Sequence, residues 1–364
     1  MVEDRSPCAA FQNQMKIVFR TDSSMDIGTG HVMRCMTLAE ELKKKKADIS
    51  YICCEHKGNM IGFIKQKGYT VHSLPSSIDM EEDARLTRKI LEDETAYYDW
   101  IIIDHYGIDA SWETPLRKFA KKIMVIDDLA NRRHDCNILL DQNYSGNRKR
   151  YNGLVPEHCI QLLGPEYALL RPQFREAREN LRERDGGVKK ILVFMGGADP
   201  TNETGKVLKA LNLLNRDDIA IAVVIGASNP FKNELEILTK RMPNTACYFQ
   251  VENMAELMAH VDLCLGASGS TTWERCCLGL PSIVMILADN QKDIAEELEK
   301  EGVVVNLGWH EDVTEMDIRN AVENLLADSD KRRSMGLKGK IMVDGNGAIR
   351  VIEKMIFLTE AVSA

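Results

Sequence analysis

The chain has 364 residues, 44% hydrophobic and 28% charged, with a formal net charge of −8. That length exceeds one ordinary core and predicts two domains of a soluble type. The acidic balance gives no global reason to expect a nucleic acid or an anionic membrane as partner, and neither is expected.

Strand-like apolar runs alternate with helix-period runs from end to end. In the first half, strands are predicted at 16–20, 48–53, 70–74, 100–104, 123–126 and 138–140. Helices fall between them at 32–45 and 80–93. Over 32–45, Val32, Cys35, Met36, Ala39 and Leu42 share one face at a 3.6-residue period. The segment 176–187, EARENLRERDGG, is charged and ends in glycine. It reads as a surface helix running into a linker.

The pattern then restarts. Strands are predicted at 189–194, 219–225, 245–251, 262–266, 282–287 and 303–306. Helices are predicted at 203–214, 231–241, 254–260, 271–278 and 291–301, and two more helices close the chain. Such alternation predicts parallel sheets covered on both faces. The expected fold class is α/β, with two Rossmann-like doubly wound domains, 15–187 and 188–364, facing a cleft. Ligands of open α/β folds bind at the C-terminal edges of the strands. A cleft between two such edges points to a nucleotide or a nucleotide-sugar.

The ten cysteines include no Cys-x-x-Cys pair. They read as free thiols in a reducing compartment, and no metal is expected. The first residues lack the basic start and apolar run of a secretory signal. The apolar run 283–288 is too short to cross a bilayer. A cytoplasmic monomer is the expectation.

Five strand–helix junctions carry the candidate chemistry. Gly28, Thr29, Gly30 and His31 follow the first strand. The glycines permit a sharp turn and close ligand approach. His31 falls at a helix start, where the dipole favours an uncharged ring that can take a proton from water. A nearby diphosphate works the other way. Position 33 is Met33, so the usual dinucleotide fingerprint is not matched. At 266–274, GASGSTTWE, the backbone and hydroxyls of Ser268, Gly269 and Ser270 suit a phosphate. Glu274, one turn on, suits ribose hydroxyls. Gly197, in GGADPTN, is a further anion nest. Asn290 and Gln291 stand at a fourth junction, and Tyr106, in IIIDHYGID, at a fifth. Arg20 and Asp22 end the first strand. Each feature alone also fits an ordinary capped turn; together they make one coherent pocket. P-loop and Gly-x-Ser-x-Gly signatures are missing, and no Asp-x-Asp stands at a predicted strand end.

The stretch FRTDSSMDIGTGHVMRC resembles the opening of the PseG family, the UDP-2,4-diacetamido-2,4,6-trideoxy-β-L-altropyranose hydrolases. Arg20, Asp22, Ser24, Ile27, Gly28, Gly30, His31 and Arg34 fill that family's pattern. YALLRPQF, GASGSTTWERCCLGLPSI and DGNGAIRVI resemble it too. The resemblance implies a GT-B architecture similar to that of the MurG glycosyltransferases. It implies hydrolysis of a UDP-sugar on the way to pseudaminic acid, with no cofactor and no metal. It gives His31 the role of base, Glu274 a nucleotide contact, Asn290 or Gln291 the amide contact and Tyr106 a place near the sugar. The alternative is an inverting GT-B glycosyltransferase, in which a sugar hydroxyl replaces water. A nucleotide-sugar binder without turnover is the third reading. The first two require His31 to face the gap between the domains.

Overall fold

The computed structural model describes residues 14–360 except 26, 95, 96, 185, 227, 250 and 252. The first unit runs β1 (Lys16–Thr21), α1 (Gly30–Lys44), β2 (Asp48–Cys54), α2 (Ile61–Gln66), β3 (Thr70–Leu74), α3 (Met80–Asp93) and β4 (Tyr98–Asp104). It continues through α4 (Ala110–Glu113), β5 (Ala120–Ile126), β6 (Ile138–Asp141) and β7 (Ile160–Leu163) to α5 (Pro172–Glu179). The second unit runs β8 (Lys190–Phe194), α6 (Glu203–Asn212), β9 (Ala220–Ile225), α7 (Lys232–Arg241), β10 (Thr245–Phe249), α8 (Met254–Ala259) and β11 (Leu263–Ala267). It ends with α9 (Thr271–Cys277), β12 (Ser282–Ile286), α10 (Lys292–Lys300), β13 (Val304–Trp309), α11 (Glu315–Ala327), α12 (Ser329–Met342) and α13 (Gly347–Glu360).

The sheets have the orders β3-β2-β1-β4-β5-β6-β7 and β10-β9-β8-β11-β12-β13. The pairings are parallel throughout, for example Phe19↔Ile102 and Cys264↔Leu192. In each sheet the chain first grows one way, then returns past its first strand and grows the other way. The order therefore reverses between β1 and β4 and between β8 and β11. Doubly wound sheets hold ligands outside the strand ends at such a reversal. His31 and Tyr106 follow β1 and β4; Gly197 and the Ser268–Ser270 turn follow β8 and β11.

Each sheet is buried on both faces. Phe19, Trp100, Ile102 and Met124 belong to one core of the first sheet, and Val18, Ile101, Ile103 and Val125 to the other. Ile191, Val193 and Leu265 face one core of the second sheet; Leu192, Cys264 and Val284 face the other.

The structure departs from the sequence expectation in several places. The short α2, α4 and β7 were not anticipated. Three helices, not two, close the chain after β13. Of the described residues of 176–187, only the end of α5 is helical; most of the stretch is exposed, as a surface segment should be, but its arginines are tied to the second unit. Arg178 donates to the carbonyls of Cys277 and Val343, and Arg184 to those of Leu278, Val261 and Met258, while Arg182 pairs with Asp262. Several of these carbonyls lie at the C-terminal ends of α8 and α9, where backbone oxygens lack helical partners.

The division at Gly187 also misses an exchange of helices. α5 packs against α8 and α9 of the second unit. α13 packs against α1, placing Ala348, Val351, Ile352 and Met355 in a core of the first unit. Among the described residues, all nine cysteines are free, and no helix is long and apolar enough to cross a membrane.

Candidate active site

Gly28 adopts φ +78° and its N–H donates to the Ser24 carbonyl, closing the turn after β1. That left-handed conformation favours glycine. Gly30 is exposed and begins α1. His31 is the next residue and is 6% exposed.

The His31 ring is held from two sides. Its Nδ1 lies 2.6 Å from Asp104 Oδ1. Tyr106 meets the ring edge-on, with centroids 4.4 Å apart. Arg34 grips the same carboxylate with two bonds of 2.6 Å and reaches Asp128 at 3.0 Å. Burial alone would raise Asp104; the Arg34 guanidinium and His31 overcome it and hold the carboxyl well below the usual range. An ionised carboxylate only accepts, so His31 Nδ1 carries the ring proton. In the uncharged ring the lone pair is on Nε2, which has no hydrogen-bond partner among the described residues. Such a histidine is oriented to receive a proton at Nε2.

Tyr106 connects this group to the second unit. The Asn290 side-chain amide donates to its hydroxyl at 3.1 Å. Burial pushes the Tyr106 hydroxyl up, and the neighbouring Asp128 adds to the shift. Gln291 accepts from the Leu287 N–H, and a Cβ on Gly269 would lie 3.6 Å from Gln291 Nε2. Gly197 is exposed, and a Cβ there would approach Thr29 Oγ1 to 3.9 Å. The turns after β1 and β8 therefore face each other. Ser270 is exposed at the start of α9, whereas Ser268 is fully buried and its hydroxyl has no partner among the described residues. Glu274 pairs with Arg171 at 3.4 Å; burial pushes its carboxyl up and Arg171 opposes the shift.

The structure thus brings together Gly28, Gly30, His31, Tyr106, Asn290, Gln291 and the Gly269–Ser270 turn, with Gly197 opposite. It does not bring Arg20 and Asp22 to the gap. Both are 1% exposed. Arg20 pairs with Asp22 at 2.8 Å and with Asp83 at 2.5 Å, and the Cys54 N–H donates to Asp22. The reason is topological. β1 is an interior strand covered on both faces, and positions 20 and 22 share one of them. A buried arginine there must be paired.

Asp22, Cys54 and His56 bring one ligand atom each to within 4.8 Å of one another. The group is unsuited to a metal ion, because Arg20 donates into both Asp22 and Cys54. The sequence reading put Asp104 at the cleft edge and Arg34 in the family pattern, but gave neither a role beside His31. Two signals were available: Arg34 lies three residues after His31 on one helix face, and Asp104 ends the strand beside β1.

Residues 190–346 match the glycosyltransferase family 28 C-terminal domain. An uncharacterized protein of Methanocaldococcus jannaschii is 29% identical over 297 residues, 79% of this chain and 58% of that protein, so the chain spans little more than half of that relative. The UDP-2,4-diacetamido-2,4,6-trideoxy-β-L-altropyranose hydrolase of Campylobacter jejuni is 32% identical over 293 residues, 80% of this chain and 98% of that enzyme. The crystal structure of Acinetobacter baumannii MurG superposes with a TM-score of 0.67 at 12% identity, over 94% of this chain and 99% of that one. The last likeness concerns the fold, and it agrees with the GT-B architecture that the sequence resemblance implied.

Proposed function

The chain belongs to the family of UDP-2,4-diacetamido-2,4,6-trideoxy-β-L-altropyranose hydrolases, and from that premise we propose that it hydrolyses a UDP-linked 2,4-diacetamido-2,4,6-trideoxyhexose. The products are UDP and the free sugar, and the reaction serves pseudaminic acid synthesis. The observation that carries the reading is the His31–Asp104 pair at 2.6 Å, placed where the first sheet reverses its order.

Water attacks the anomeric carbon. His31 Nε2 takes a water proton, and Asp104 stabilises the imidazolium as it forms. The bond from C1 to the bridging oxygen breaks, and its electrons leave with the diphosphate. Backbone N–H groups near Gly269 and Ser270, with Gly197 on the same unit, are suited to the charge that develops there. Glu274 contacts the nucleotide, and Tyr106 with Asn290 borders the sugar. No metal is needed for a leaving group as good as UDP.

The match to a glycosyltransferase family domain supports one competing reading, transfer to an acceptor hydroxyl. NMR of UDP-sugar in ¹⁸O-labelled water, with no acceptor, separates the two. Steady UDP release with label on the sugar is the result for hydrolysis. UDP release that depends on an added acceptor overturns it. His31→Ala is expected to lower turnover by about 10²–10⁴-fold while UDP still binds.

A further inference from the structure

Cys136 and Cys159 precede β6 and β7, which pair in parallel with Ile138 opposite Ile160. Neighbouring strands lie about 4.8 Å apart, within the Cα separations of roughly 4.4–6.8 Å that disulfides span. Both side chains turn to the same core face. Cys136 is a fully buried member of that cluster, and Cys159 packs against it while half-buried. The two sulfurs lie 3.5 Å apart. No other pair of cysteine sulfurs makes such a contact among the described residues. Cys53–Cys54 and Cys276–Cys277 are sequence neighbours.

We propose that Cys136 and Cys159 form an oxidisable dithiol, a modification site separate from the active site, which closes to an intramolecular disulfide on reaction with a small-molecule disulfide such as oxidised glutathione. The roles divide by access. Cys159 is the more exposed residue of the two, and the Cys136 thiol beside it, with the Leu139 N–H, lowers its thiol against the effect of burial. Contact with Cys159 and burial push Cys136 up. Cys159 therefore loses its proton to solvent and attacks one glutathione sulfur, expelling one glutathione thiolate. Cys136 then loses its proton, attacks the Cys159 sulfur of the mixed disulfide and expels nothing but the second glutathione thiolate. Two protein thiols are oxidised and one glutathione disulfide is reduced to two thiols.

The test uses the full-length reduced protein, oxidised glutathione, intact mass and peptide mapping. The expected product has lost about two mass units and yields one linked peptide pair containing Cys136 and Cys159. Cys136→Ser is expected to accumulate the glutathione adduct at Cys159, and Cys159→Ser to form no internal link. Reduced Cys159→Ser should keep the wild-type turnover, since neither sulfur touches the active site. The proposal falls if both thiols are alkylated equally before and after oxidation, or if Cys159 is found linked to any other cysteine.

Discussion

Asp104 shows how one residue joins the core to the chemistry. It ends the apolar run Trp100–Ile103, is completely buried, and stays ionised because Arg34 grips both its oxygens. Asp104→Asn leaves the shape intact but lets the partner atom donate, so His31 can adopt the wrong tautomer. Turnover is expected to fall by about 10²–10⁴-fold with the UDP dissociation constant unchanged, measured by steady-state kinetics and calorimetry. A second buried carboxyl behaves oppositely. Burial pushes Asp141 up from 3.8 to about 6, against the Asn143 N–H and Arg150. The folded state therefore binds this proton more tightly than the unfolded one. Its stability contribution is present below about pH 4 and is lost as pH rises to about 6, a loss of at most about 3 kcal/mol. Urea unfolding of Asp141→Asn, compared with wild type from pH 4 to 7, should show that part of the decline removed. His31 was legible because a glycine-framed histidine at a strand–helix junction has few structural reasons to be there. Arg20 and Asp22 were misread because a charge at a strand end looks exposed until the strand order is known. That order comes from pairing between segments far apart in the chain.

The strands most plainly legible in the sequence are those covered on both faces. YDWIIID and KILVF are near-continuous apolar runs, as strands covered on both faces must be. β7 and α2 were missed because four or six residues give too little period to distinguish from loop. The arginines of 178–184 were read as solvated, since nothing local tells a guanidinium that faces water from one that caps a distant helix end. Close approach between loops is equally invisible. A Cβ on Gly226, just after β9, would sit 2.0 Å from the Gly197 carbonyl oxygen. Gly226→Ala must push the two backbones apart. A stability loss of about 1–3 kcal/mol is expected, with weaker UDP binding as Gly197 is displaced. Thermal unfolding and calorimetry check both. Removing α13 by ending the chain at residue 346 strips Val351, Ile352 and Met355 from the first core. The shortened protein is expected to lose cooperative unfolding of its first unit, read by near-UV circular dichroism.

Leaving aside α5, the arginines that follow it and α13, the polar contacts across the gap among the described residues are Asn290 to Tyr106, Tyr144 to Glu301, and Arg171, just before α5, to Glu274. A ligand held by both sides should therefore dominate the stability of the closed form. At a UDP concentration one hundred times its dissociation constant, stabilisation of about 2.7 kcal/mol is expected, and Glu274→Ala should abolish most of the associated rise in melting temperature. The doubly wound architecture and the facing edges could be read from strand–helix alternation. The covalent route between the units could not, because neither α5, with Phe174 as its one buried side chain, nor the apolar face of α13 says which core it joins.

That route crosses twice. The chain enters the second core over Ala168, Leu170 and Phe174, and returns between Val343 and Ala348. Bodies tied at one point can swing and swivel, whereas bodies tied at two keep only the axis through both ties. Motion across the gap is thereby reduced to a single angle, like a door on two pins. A protease nick at 180–187 should then yield two fragments that elute together and part only in denaturant.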